Sequence, residues 1–182
     1  MREFPKNTLG RKTFFGATQP LSKMSREKVN RANKALVRWA EMTEEIEALT
    51  REYEEAGWET LVLHPGDVAV RPADGDREPT FGLVVPDSEL DALAELVGDR
   101  DDAYDEFEVH RAATEALAMF AVVVTAAELE RAVCYPVYYD PATDVEFVED
   151  VRDSDTIYTN VTNLAESQVF SFAHEKPTLF AQ

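Results

Sequence analysis

The chain has 182 residues, 45% of them hydrophobic, and carries 36 acidic against 18 basic side chains for a net charge of −18. That length suits one domain with a buried core, and the apolar fraction excludes a wholly disordered chain. A lone cysteine, Cys134, excludes an internal disulfide, and no apolar run nears the roughly 20 residues that span a bilayer, so a cytoplasmic protein with no membrane partner is expected.

Residues 1–21 read as an extended basic arm, punctuated by Pro5, Gly10, Gly16 and Pro20, with Phe4, Phe14 and Phe15 as apolar anchors. Arg11-Lys12 lacks the second arginine of a twin-arginine export signal. Residues 22–57 hold a long predicted helix, from about Ser25 to Ala56. Val29, Ala32, Leu36 and Trp39 form its inner stripe, continued by Met42, Ile46, Leu49 and Tyr53, and Gly57 ends it.

Residues 58–182 read as an acidic α+β domain. Thr60–Leu63 and Val68–Arg71 are predicted strands joined by a type II turn at Pro65-Gly66, and Phe81–Val85 is a third. Asp87 is placed as the cap of a helix with Leu90, Leu93, Ala94 and Val97 inside. Phe107–Arg111, Leu117–Val124 and Ala132–Tyr139 read as a meander, although the Ala-rich 115–121 also admits a helix. Thr143 and Glu146 form a capping box opening a second short helix, and Ile157–Leu164 and Gln168–Ala173 close the sheet. The expected fold is therefore a long N-terminal helix plus one mainly antiparallel sheet of about seven or eight strands with two short helices.

Charge divides the chain more sharply than any motif. The first 39 residues hold ten bases and two acids, a net of +8; the rest holds eight bases and 34 acids, a net of −26. Lysine supplies six bases in all, and only Lys176 follows Lys34. Such a body repels itself in dilute buffer, whereas at molar salt the Debye length shrinks to about 3 Å and the repulsion fades. Along the helix the charges oppose the macrodipole: Lys28, Arg31 and Lys34 crowd its positive end and Glu52, Glu54 and Glu55 its negative end. Each such charge costs about 0.3–1 kcal/mol at low salt, so helix stability does not account for the pattern.

The stretches Gly57-Trp58-Glu59-Thr60-Leu61-Val62-Leu63-His64-Pro65-Gly66-Asp67, Val85-Pro86-Asp87-Ser88-Glu89-Leu90, Pro136-Val137-Tyr138-Tyr139-Asp140 and Phe172-Ala173-His174-Glu175 resemble a family of small acidic haloarchaeal proteins of unknown function. The resemblance covers roughly residues 45–176. It implies a high-salt cytoplasm and no particular activity.

Two sets of residues carry chemistry. Arg2, Lys6, Arg11, Lys12, Lys23, Arg26, Lys28, Arg31, Lys34 and Arg38, with Phe14 and Phe15 to stack on bases, suit RNA or a ribonucleoprotein such as the ribosome. The same arm also suits a clasp on acidic surface, in its own chain or in a homo-oligomer, or a tail with no fixed partner. His64, Asp67, His174 and Glu175 have the donor chemistry of a metal or acid–base site, but without a ligand spacing, so structural hydrogen bonding is the plainer reading. Cys134 reads as a buried, inert thiol, and Pro136 beside Tyr135, Tyr138 and Tyr139 suggests an edge strand or bulge. No cofactor motif is present. A non-enzymatic interaction protein is the expected class. Circular dichroism melts across a KCl series should show the melting temperature rising with salt; a melting temperature indifferent to salt overturns the high-salt reading.

Overall fold

The computed structural model describes residues 18–114 and 116–181, which form three α-helices and eight strands in two separate four-stranded sheets. By internal contacts the chain falls into two units, residues 1–34 and 35–182, and helix α1 (Thr18–Glu55) runs across that division. The first sheet has the order β1-β6-β5-β4, built from β1 (Glu59–Val62), β4 (Glu106–Ala113), β5 (Ala118–Ala126) and β6 (Arg131–Tyr139). The second has the order β2-β3-β7-β8, from β2 (Asp67–Arg71), β3 (Thr80–Val84), β7 (Ile157–Thr162) and β8 (Phe170–His174). Neighbours are antiparallel except β1–β6 and β3–β7, which are parallel.

The expected meander is present as β4-β5-β6, and 118–126 is strand rather than helix. The single sheet is not. The segment His64–Asp67 carries the chain from one sheet to the other instead of closing a hairpin. Leu63 still donates its N–H to Cys134 in the first sheet, while Gly66 donates to Val84 in the second. Gly66 is absent from the positive-φ glycines, which a type II turn would need at that place, so the turn belongs to another class. Pro136 is likewise not on an edge: β6 lies between β1 and β5. The register of β1 ends at Cys134, so no strand lies beside Pro136 on that side, and its missing N–H costs no ladder bond there.

Two core clusters set the layers of residues 35–182. On β5 the even-numbered Ala118, Phe120, Val122, Val124 and Ala126 face one way, into a core shared with Phe81, Leu83, Ile157, Val161 and Phe172 of the second sheet. The odd-numbered Met119, Ala121 and Val123 face the other way, against Met42 and Ile46 of α1, beside Ala132 and Cys134 of β6. The two-residue strand period thus buries β5 on both faces. The second sheet instead alternates, with Phe170, Phe172 and His174 buried and Ser171 and Ala173 exposed along β8.

Helices α2 (Asp87–Val97) and α3 (Val145–Asp153) add Leu90, Leu93, Phe147 and Val151 to the inter-sheet core. Neither starts as expected. Asp87 is the first helical residue after Pro86, and its carboxylate accepts from Asn163 Nδ2 at 2.9 Å. Asp144, not Thr143, precedes α3, and its carboxylate accepts the Asp140 N–H at 2.9 Å, drawing the preceding turn inward. Acids still sit in both first turns, where the macrodipole favours them.

Phe120 is fully buried, with its ring against Tyr139 and Phe180. Phe120→Ala should cost about 3–5 kcal/mol in urea unfolding; a loss under about 1 kcal/mol would show that the inter-sheet core is not packed this way.

Candidate functional site

The four residues with metal or acid–base chemistry do not converge. His64 follows β1 at the surface, its side chain 63% exposed. Its backbone N–H donates to Glu89 Oε2 at 2.7 Å, and its Nδ1 lies 2.7 Å from Glu89 Oε1. Glu89 belongs to the first turn of α2, so the pair ties the end of β1 to that helix. His174 is fully buried on β8. Its Nε2 lies 2.9 Å from Thr159 Oγ1 and 3.2 Å from Tyr135 Oη, and its ring packs on Phe107 with centroids 4.7 Å apart. Asp67 and Glu175 are exposed, and among the described residues no three His, Cys, Asp or Glu are grouped to hold a metal ion.

Burial sets the protonation of the inner residues. Desolvation pushes the His174 pKa down to about 4, so the ring is neutral near pH 7. The Tyr135 phenol is pushed up, chiefly by the same burial. With Nδ1 facing no partner, the cheaper tautomer keeps the proton on Nε2, donating to a hydroxyl, and leaves only a lone pair unmatched. Cys134 lies buried in the cluster beneath α1, and burial raises its thiol, the reverse of an activated nucleophile.

A cleft of about 350 Å³ joins Val68 and Val70 of β2 to Leu117, Tyr138, Asp140 and Asp144. Its walls come from three distant stretches of sequence, which is why no local motif announced it. Its carboxylates serve the backbone: Asp144 accepts from Asp140 N–H, and Asp140 accepts from Ala142 N–H at 2.9 Å.

The basic set stands differently. Arg2, Lys6, Arg11, Lys12, Phe14 and Phe15 lie outside the described residues, while Lys23, Arg26, Lys28, Arg31, Lys34 and Arg38 all fall within α1. Arg26 is exposed, and Arg38 reaches Glu41 at 2.6 Å, a surface pair worth little to stability. The expected inner stripe of α1 is packed from Trp39 onward. Trp39 meets Tyr138 edge to face at 5.8 Å, but Val29 and Leu36 are open to solvent, as is Val37.

The fold is thus a mixed α+β architecture of two packed sheets with a helix on the outer face of one. Within that class, the chain belongs to the family of unknown function DUF7529, which matches residues 25–182. No curated protein and no solved structure matches the chain. Among the described residues no helix is long and apolar enough to cross a membrane.

The buried histidine has a measurable consequence. Its folded pKa near 4 lies below the ordinary 6.5, so its contribution is complete above pH 6.5 and is lost as pH falls towards 4. The span corresponds to about 3 kcal/mol. Urea unfolding should therefore show stability falling through that window, and His174→Gln should flatten this part of the profile. An identical pH profile for the variant would overturn the assignment.

Proposed function

We propose that this chain is a non-enzymatic interaction protein of a high-salt, haloarchaeal cytoplasm, whose basic N-terminal segment docks an acidic body on an RNA-containing partner such as the ribosome. The observation that carries this reading is the charge division, +8 over the first 39 residues against −26 over the rest. Arginine forks give bidentate phosphate contacts, and Phe14 and Phe15 supply faces on which bases stack. These short-range contacts suit a salty cytoplasm, because counterion release drives little binding at molar salt. The body supports the reading by what its polar groups already do: His64 is engaged with Glu89, and His174 is buried with Tyr135 and Thr159.

The test is the full chain purified from its native lysate at native salt, probed for RNA and run on a gradient beside ribosomal particles. Co-purifying RNA is expected, and deletion of residues 1–17, which stops short of α1, should abolish it while leaving the circular dichroism spectrum unchanged. An intact chain that carries no nucleic acid and sediments apart from ribosomal particles refutes the reading.

A further inference from the structure

Helix α1 carries a second message, independent of the arm. Val29, Leu36 and Val37 are 55%, 66% and 59% exposed, three branched aliphatic side chains left open on one helix. Leu36 and Val37 are neighbours just before the packed half of the helix, an exposed apolar pair of the kind that another element covers.

Charge identifies that element. Residues 23–38 carry six bases and one acid, Glu27, a net of +5; residues 39–55 carry seven acids and one base, Arg51, a net of −6. The acidic half is available for contact. Its Met42 and Ile46 are turned to the first sheet, while Glu41, Glu44, Glu47, Glu52, Glu54 and Glu55 are exposed. Two such helices side by side in parallel would set like charge on like charge along their length. Turned antiparallel, each basic half meets an acidic half. The two blocks are nearly equal and opposite, so the arrangement is self-complementary and closes on a two-fold axis without recruiting a third chain. Leu36 and Val37 lie next to the charge switch, where that axis falls, and supply apolar contact that salt does not screen.

We propose that α1 is the interface through which two copies of this chain associate, as an antiparallel helix pair. The pairing also accounts for charges that oppose the macrodipole within one chain, because bases near one helix N-terminus face the acids and the negative C-terminal end of its partner. It does not rest on the nucleic-acid reading: it takes up the basic half of α1 and leaves Arg2, Lys6, Arg11, Lys12, Phe14 and Phe15 to that role.

The test is a charge exchange in the full chain, after nuclease treatment, with mass read by light scattering in ~0.1 M salt and a folded spectrum required of every chain at that salt by circular dichroism. The unaltered chain should have the mass of two copies. The variant Glu44→Lys, Glu47→Lys, Glu52→Lys takes residues 39–55 from −6 to 0, leaving the basic half without an acidic one to meet, and Arg26→Glu, Arg31→Glu, Lys34→Glu takes residues 23–38 from +5 to −1, leaving the acidic half without a basic one. Each alone should run as one copy, and an equimolar mixture should recover the two-copy mass. Leu36→Ser with Val37→Ser should raise the dissociation constant about tenfold or more with the spectrum of a folded chain. A one-copy mass for the unaltered chain in both ~0.1 M and ~1 M salt overturns the proposal. So does failure of the mixture to associate, or a two-copy mass that vanishes on nuclease treatment.

Discussion

Burying a strand on both faces is the constraint from which this architecture follows. From Ala118 to Ala126 every residue of β5 is buried, so neither face of that strand can be left to water. One face takes the second sheet, whose aromatic residues interleave with Phe120 and Tyr135; the other takes α1. The residues facing the helix are small or pliant, with Ala121, Ala132 and Cys134 around Met119 and Met42, so the helix seats closely on the sheet. The inter-sheet side is filled instead by rings, among them Phe81, whose centroid lies 5.2 Å from that of Phe147 and 5.4 Å from that of Phe180. Each side of β5 thus imposes its own size rule on the residues that meet it.

Most elements were legible because their signal is local. The apolar run of β5, the meander around it and the inner faces of α2 and α3 follow from hydrophobic spacing over a few residues. What failed was pairing. Nothing in Thr60–Leu63 or Val68–Arg71 says that one strand binds β6 and the other β3; the nearest turn-like residues suggested that they bind each other. The capping residues failed for a related reason. Asp87 and Asp144 lie at helix starts, but their carboxylates are claimed by Asn163 and the Asp140 N–H, contacts that local spacing does not encode. Val29 and Leu36 fit a helical period without a partner in the fold, because periodicity registers an apolar stripe and not what covers it.

The candidate metal or acid–base site was legible only as chemistry. His64 and His174 each follow a predicted strand, yet one is open to solvent and the other lies between the sheets. The distinction is made by β8, which alternates inward and outward and turns His174 inward beside Tyr135. Charge is handled in the same spirit throughout residues 35–182. The buried polar side chains are Thr50, Thr125, Thr159, Asn163 and His174, with no carboxylate among them. An excess of acid is therefore compatible with this core, since among the described residues no Asp or Glu is buried in it.

The crossing at His64–Asp67 also bears on how the chain finds its fold. β4-β5-β6, β2–β3 and β7–β8 each close over short connections, so their loop entropy is modest. The two parallel seams are different: Glu59 waits for Arg131, and Thr80 waits for Tyr158. During synthesis from the N-terminus, β1 and the β2–β3 hairpin emerge long before the strands that flank them. Their apolar faces stay uncovered until the meander and then β7 arrive. The order of emergence thus makes the last third of the chain the part that converts separate hairpins into two closed sheets.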